Sequence, residues 1–342
     1  MRKTVAAQLW MPIAAMFATV LFVILIVPGV LVETIPEQGS FSDDVQAVTP
    51  VFEQSQQVII PIYLTRQQKI DQVPLETYVR NVLAAEMPAS FELEALKAQA
   101  IASRTYIVKR WLDGDSSQVP VQGAIVTDTV AHQAYMTEDQ MKQSWSGKQY
   151  ESNVEKLNRA VSETAGIIAT YQHKPIQASF FSTSNGYTEN SEEYWRDAVP
   201  YLRSVPSPWD ASLSPKYEAN VTYSLQEFAK RLNFSSVPAN LAASMKVLST
   251  TSGHRIKTMA IGGKTFTGRE IREKLELNSS QFTWKVKGAS IELQTLGYGH
   301  GVGMSQWGAN GMAKEGKTAE AILKYYYQGI ELENDAKLLA AR

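Results

Sequence analysis

The chain has 342 residues, a length that suggests roughly two domains and a core sufficient without staples. Hydrophobic residues make up 44% and charged residues 20%, globular values that exclude disorder as the main state. The 33 Lys+Arg against 34 Asp+Glu give a net charge of −1, which argues against nucleic acid as a partner, and the absence of cysteine excludes disulfides, thiolate catalysis and Cys-ligated metals.

Arg2 and Lys3 precede a run with no charged residue before Glu33. Residues 9–32 predict a transmembrane helix, since about 20 apolar residues cross a bilayer. The basic residues place 1–8 in the cytoplasm and the rest of the chain outside, with the protein single-pass in the cell membrane. A cleaved signal peptide competes with this reading, but Pro28-Gly29-Val30-Leu31-Val32 makes a poor cleavage site. Residues 33–57, with Pro36, Gly39, Ser40, Ser42 and Pro50, form a linker. That leaves 58–335 as the ectodomain.

Residues 58–64 predict a strand, placed at an edge by Pro61. Pro74 opens a helix through Tyr78, Val79, Val82 and Leu83, and Pro88 stops it. A second helix spans 92–113 and ends at Gly114, and a third spans 151–164. The period then changes to two, with strands at 167–171 and 176–182 joined by His173-Lys174-Pro175. Asn185-Gly186 marks a turn, and proline-rich 200–215 a loop. Helices follow at 225–233 and 269–277, with strands at 245–250, 255–261, 264–266, 282–287 and 291–296. Gly262-Gly263 is a hairpin turn, and 319–327 is a terminal helix. Early helices and later strands give an α+β class: a helical first part packed with mixed or antiparallel strands, and a candidate inserted α+β subdomain at 210–290.

Glu86 is the most informative acid. A carboxyl at the last turn of a helix meets the negative pole of the dipole, and Ala84, Ala85 and Met87 would desolvate it. Both effects raise its pKa, as a general acid requires. The same position also suits an exposed helix-end glutamate. A glycosidase with paired carboxylates needs a second acid near it, and Glu92, Glu94 and Asp113 are the candidates. Lys97, Arg104 and Trp111 are spaced by seven on one helical face, pointing into a polar cleft or snorkelling at the surface. Gly299-His300-Gly301-Val302-Gly303 lacks the Gly-Lys-Ser/Thr ending of a phosphate loop. It suits either a ligand loop carrying His300, Ser305 and Gln306 or a tight structural turn. The four histidines are scattered, with no metal-ligand spacing.

Five segments carry a family resemblance: Leu75-Glu76-Thr77-Tyr78-Val79; Val82-Leu83-Ala84-Ala85-Glu86-Met87-Pro88; Glu94-Ala95-Leu96-Lys97-Ala98-Gln99-Ala100-Ile101-Ala102-Ser103-Arg104-Thr105-Tyr106; Phe180-Phe181-Ser182-Thr183-Ser184-Asn185-Gly186-Tyr187; and the 299–308 loop. In these the chain resembles the stage II sporulation protein D family. The resemblance implies a peptidoglycan lytic transglycosylase of forespore engulfment. Such enzymes cleave peptide-stripped glycan strands at the N-acetylmuramic acid–N-acetylglucosamine bond, leave 1,6-anhydro ends, and work with stage II sporulation proteins P and M at the sporulation septum. It implies Glu86 as the catalytic acid. For substrate binding it suggests Lys97 or Arg104 on the muramic carboxylate, Tyr106, Phe181, Tyr187 and Tyr201 against sugar faces, and polar contacts from Ser182, Ser184, His300, Ser305 and Gln306. No cofactor is implied. Some clostridial members bind zinc through His and Cys, a site that does not carry over to a chain without cysteine. The same domain type occurs in amidase enhancers, which implies the alternative of a glycan-binding activator of a partner hydrolase.

Overall fold

The computed structural model describes residues 58–336 and Leu339, so the expected 1–8 tail, 9–32 anchor and 33–57 linker lie outside the described residues. The class is α+β. β1 (Ile59–Leu64) and β2 (Lys69–Pro74) pair antiparallel, and β3 (Val126–Thr127) joins β1 in parallel on its other side. β1 is therefore the middle strand, not the edge that Pro61 predicts. The missing N–H is tolerated because β3 pairs only with Ile62 and Tyr63, while the Pro61 carbonyl accepts from Ile125 at 3.0 Å.

α1 (Leu75–Glu86) begins directly after Pro74 and buries Tyr78, Val79, Val82 and Leu83. Met87 leaves the helix in an extended conformation, as the following Pro88 demands. α2 (Leu93–Asp113) is the central helix, buried on nearly every face and capped by Gly114 at φ 65°. Ala95, Ala98, Ala100 and Ala102 let its neighbours approach closely. Truncating a fully buried side chain such as Leu96 to alanine would cost about 2–5 kcal/mol. α3 (Glu138–Ser144) and α4 (Lys148–Ser162) follow, α4 packing on both α1 and α2.

β4 (Ile167–Tyr171) turns through Gln172 and His173, both at positive φ, into the two-residue β5 (Lys174–Pro175). The strand expected over 176–182 does not continue this hairpin. The chain leaves it after Pro175 and forms β6 (Phe180–Phe181) in a different sheet. Two single-turn helices follow, α5 (Ser191–Tyr194) and α6 (Asp210–Leu213).

A second hydrophobic cluster then forms around Phe228, Met259, Ile271, Ile291 and Leu293. It is enclosed by β7 (Glu218–Ser224), α7 (Leu225–Arg231), α8 (Leu241–Ser244), β8 (Lys246–Thr250), β9 (Ile256–Ile261), β10 (Lys264–Thr267), α9 (Gly268–Lys274), β11 (Phe282–Lys287) and β12 (Ser290–Leu296). These strands make two antiparallel three-stranded sheets, ordered β10-β9-β8 and β11-β12-β7. Entry and exit are joined by Gly297 N–H donating to Tyr217 O at 2.7 Å. The strands run to Leu296, past the 290 expected, while Asp210 bonds to Ser184, Ser207 and Ser305 of the preceding and following chain.

The chain then returns to the first cluster. β13 (Met304–Ser305) pairs in parallel with β6, α10 (Gln306–Lys314) and α11 (Ala319–Tyr326) pack on α2, and β14 (Glu331–Asn334) pairs antiparallel with β4.

Candidate functional site

Glu86, the last residue of α1, is largely buried where three segments meet. One is 133–136, laid along α1 by hydrogen bonds from side chains on one helical face. Tyr78 Oη donates to Gln133 Oε1 at 3.2 Å and Asn81 Nδ2 to Tyr135 Oη at 2.9 Å. The backbone N–H of Ala134 then donates to Glu86 Oε1 at 2.8 Å. The second segment is the start of α10, whose first residue, Gln306, places Nε2 at 3.5 Å from Glu86 Oε2. The third is α2, where Gln99 Oε1 also lies 3.5 Å from Gln306 Nε2 and Gln99 Nε2 donates to Ser103. Burial raises the Glu86 pKa, and the bonds from Ala134 and Gln306 only partly offset it. Its hydrogen-bond partners are a backbone N–H and a neutral amide, with no cation. Oε1 accepts the short bond from Ala134, and Oε2, whose contact with Gln306 is long, is the oxygen better placed to carry a proton.

The other acids singled out in the sequence are engaged elsewhere. Glu92 faces Lys314, Glu94 holds Lys97 and the Ala319 N–H, and Asp113 pairs with Lys109. Among the described residues no group of three His, Asp or Glu side chains is placed to hold a metal.

Gln306 is fixed by a buried carboxylate that sequence reasoning missed. Asp210 is fully buried; Oδ1 accepts from Ser184 N–H at 2.8 Å and from Ser305 Oγ, and Oδ2 accepts from Ser207 Oγ at 2.7 Å. Ser305 also caps α10 by accepting from Gly308 N–H. Ser184 and Ser305, expected at the substrate, are thus fully buried scaffold residues. Only a glycine fits at 308, since a Cβ there would lie 2.1 Å from Tyr326 Oη. Nothing in the local pattern around Asp210 marks this role, because two of its three partners, Ser184 and Ser305, come from other segments.

Two further expectations are corrected on α2. Arg104 has no exposure; Nε and Nη2 donate to the two carboxylate oxygens of Glu76 at 2.8 and 2.6 Å, and Nη1 to Ile167 O. Its guanidinium cannot reach a ligand. Lys97 is bound to two carboxylates of the protein itself, Glu94 at 2.8 Å and Glu163. The Tyr201 hydroxyl accepts from Gln177 N–H and its ring packs on Tyr171. Ser182 O accepts from Trp307 N–H, beside Gln306, and Tyr106 flanks the buried Tyr78.

His300 and Tyr187 belong to a second locus. The His300 ring is surrounded by Phe181, Tyr194 and Trp195, with centroids 5.5–5.7 Å away. Nδ1 accepts from Val302 N–H, so the loop closes on itself. Burial, with Arg272 and Arg255 nearby, depresses its pKa to about 3, and the ring is neutral. Gly301, at φ 89°, lies on the Arg255 guanidinium, where a Cβ would come within 2.5 Å of Cζ. The glycines thus approach the protein's own groups. Tyr187 is exposed, packs edge-on against His254, and its carbonyl lies 3.5 Å from Arg255 Nη1.

With this geometry in place, comparison with known proteins is specific. A family model described as "Stage II sporulation protein" matches residues 63–171. The chain is 50% identical over 282 residues to Stage II sporulation protein D of Bacillus subtilis (strain 168), covering 82% of this chain and 81% of that one. It is 47% identical to the protein of the same name from Bacillus amyloliquefaciens, covering 83% and 81%. It is also 30% identical to the Amidase enhancer of Bacillus subtilis (strain 168), covering 74% of this chain but 40% of that one.

Proposed function

Because this chain belongs to the stage II sporulation protein D family, we propose that it is a peptidoglycan lytic transglycosylase acting in sporulation. The observation that carries this reading is Glu86, a largely buried carboxyl at a helix C-terminus, held by neutral donors. Burial keeps a proton on it at a pH where an exposed glutamate would have lost it. Glu86 delivers that proton from Oε2 to the oxygen bridging N-acetylmuramic acid and N-acetylglucosamine. The bond to the muramic anomeric carbon breaks, and positive charge develops there. The Glu86 carboxylate then takes the proton of the same sugar's 6-hydroxyl, whose oxygen closes onto the anomeric carbon as a 1,6-anhydro ring. One group serves as acid and then base, so no second carboxylate is needed. Glu92, Glu94 and Asp113, each bound elsewhere, support that economy.

In this reading the ectodomain works outside the cell from a membrane anchor in 9–32, at the sporulation septum, on peptide-stripped strands and with stage II sporulation proteins P and M. Among the described residues no helix is long and apolar enough to cross a membrane. The test is to incubate the protein with peptide-stripped strands and look for 1,6-anhydro ends by mass spectrometry. Their absence under conditions where strands bind would favour the second reading, a glycan-binding activator of a partner hydrolase. The likeness to the Amidase enhancer supports that alternative.

A further inference from the structure

The loop carrying His300 meets the second hydrophobic unit at a cleft of about 230 Å³, lined by Glu189, Arg255, Lys257, Thr267, Arg269 and His300. That is below the roughly 300–1,000 Å³ of pockets that enclose a whole drug-sized ligand. It has room for one arm of a ligand. Arg255 is 2% exposed, and only its Nη1 has a side-chain partner, Glu189 Oε1 at 3.0 Å. Nε and Nη2 are buried and have no hydrogen-bond partner among the described residues. Leaving such charged donors unmade is costly.

These two nitrogens form one edge of the guanidinium, the edge whose parallel N–H groups match a carboxylate. The same protein shows that edge filled. Arg104 directs Nε and Nη2 at the two oxygens of Glu76. In Arg255 the equivalent edge is unpaired, and among the described residues no carboxylate is supplied to it. Lys257 and Arg269, about half exposed, add positive charge at the rim, against Glu193 near Lys257. Glu189 Oε2 also lacks a partner, so the occupant presents a hydrogen-bond donor beside its carboxylate.

We infer that Arg255 holds the carboxylate of a bound ligand through Nε and Nη2, while Glu189 Oε2 accepts from an adjacent N–H or O–H. On the glycan-strand reading proposed above, on which this choice of ligand rests, the carboxylate is the lactyl group of an N-acetylmuramic acid residue and the donor its acetamido N–H. Arg255 then replaces Lys97 and Arg104 as the group that distinguishes muramic acid from glucosamine.

The test compares binding of N-acetylmuramic acid, N-acetylglucosamine and lactate to the full-length chain carrying Glu86→Gln, by calorimetry. N-acetylmuramic acid is expected to bind at least about tenfold more tightly than N-acetylglucosamine, which lacks only the lactyl arm. Lactate should bind more weakly than N-acetylmuramic acid, since it offers no acetamido donor. Arg255→Lys keeps the charge but loses the fork, and should abolish the preference. Lys257→Ala, at the exposed rim, should weaken N-acetylmuramic acid binding and reduce its salt dependence, and serves if the Arg255 variant does not fold. Equal affinity for the two sugars, or a preference unchanged in both variants, would overturn the inference. Because binding is read separately from cleavage, a chain that releases anhydro ends without this preference loses the inference and keeps the proposed activity. A chain that shows the preference without cleavage does the reverse.

Discussion

Gln306 and Glu86 are 220 residues apart in sequence, and Gln306 Nε2 lies 3.5 Å from Glu86 Oε2. The contact joins the C-terminus of one helix to the N-terminus of another, so Glu86 sits at the negative pole of α1 and faces a side chain from the positive pole of α10. The two poles act in opposite senses on a carboxylate, and burial decides the outcome in favour of the protonated form. Gln306 directs Oε2 without adding charge, which leaves that oxygen able to give up and recover a proton.

Glu86→Gln should preserve the fold, since the amide oxygen can still accept from Ala134 N–H, and should lower strand cleavage by about 10²–10⁴. In the wild type the required form is protonated. Cleavage should therefore decline as pH rises through a pKa above the ordinary glutamate value of 4.5. Anhydro-end release measured across pH checks both points. A folded variant of near wild-type rate would remove Glu86 from the mechanism.

Arg104→Ala should act on folding rather than on glycan binding. It leaves Glu76 without its bidentate partner in a site where Arg104 has no exposure. Breaking a buried pair from one side costs about 3–5 kcal/mol. Urea denaturation should show the loss, and glycan affinity measured well below the melting temperature should be unchanged. A stable variant with weakened glycan binding would return Arg104 to the substrate.

The helices that carry this chemistry are legible in the sequence because local signals set them. Pro74 and Pro88 bracket α1, and Gly114 ends α2 in the left-handed conformation that glycine permits. What could not be read depends on partners far along the chain. A seven-residue spacing placed Lys97 and Arg104 on one face but did not say which would be buried; that depends on Glu76, 28 residues before Arg104. Asp210 and the 133–136 segment carried no periodic or motif signal, since both act through hydrogen bonds to other elements. The run at 176–182 has strand composition, but its continuity was broken by pairing of Phe180 and Phe181 with Met304 and Ser305.

His300 should make the protein acid-sensitive. Its folded pKa, about 3, lies below the unfolded value near 6.5, so the unfolded chain binds the extra proton between these limits. Stability contributed by the neutral ring is present above pH 6.5 and is lost as pH falls toward 3. His300→Phe keeps an aromatic ring among Phe181, Tyr194 and Trp195 but removes the titration. Its stability relative to wild type should improve on going from pH 8 to pH 4.5. An identical difference at the two values, measured by denaturant titration, would show that the folded ring titrates as it does in the unfolded chain, with no depressed pKa.

Asp335 should behave in the opposite sense. It is 5% exposed, Oδ2 has no partner among the described residues, and Asp335 N–H donates to Gly166 O. Burial raises its pKa from 3.8 to about 6; Glu76 adds to the rise and Arg104 opposes it. Between those values the folded chain holds a proton that the unfolded chain has released, so stability falls as pH rises through the window. Above about pH 6 the protein carries the full penalty, on the order of 3 kcal/mol for a shift of this size. Asp335→Asn removes the charge at every pH. The variant should gain stability over wild type at pH 8, by less than that limit because the amide also brings donors to a buried site. The gain should shrink to nothing or reverse below pH 4. Urea denaturation of both proteins at pH 4 and pH 8 checks this, and a gain equal at the two values would mean that Asp335 is ionised in the folded state throughout.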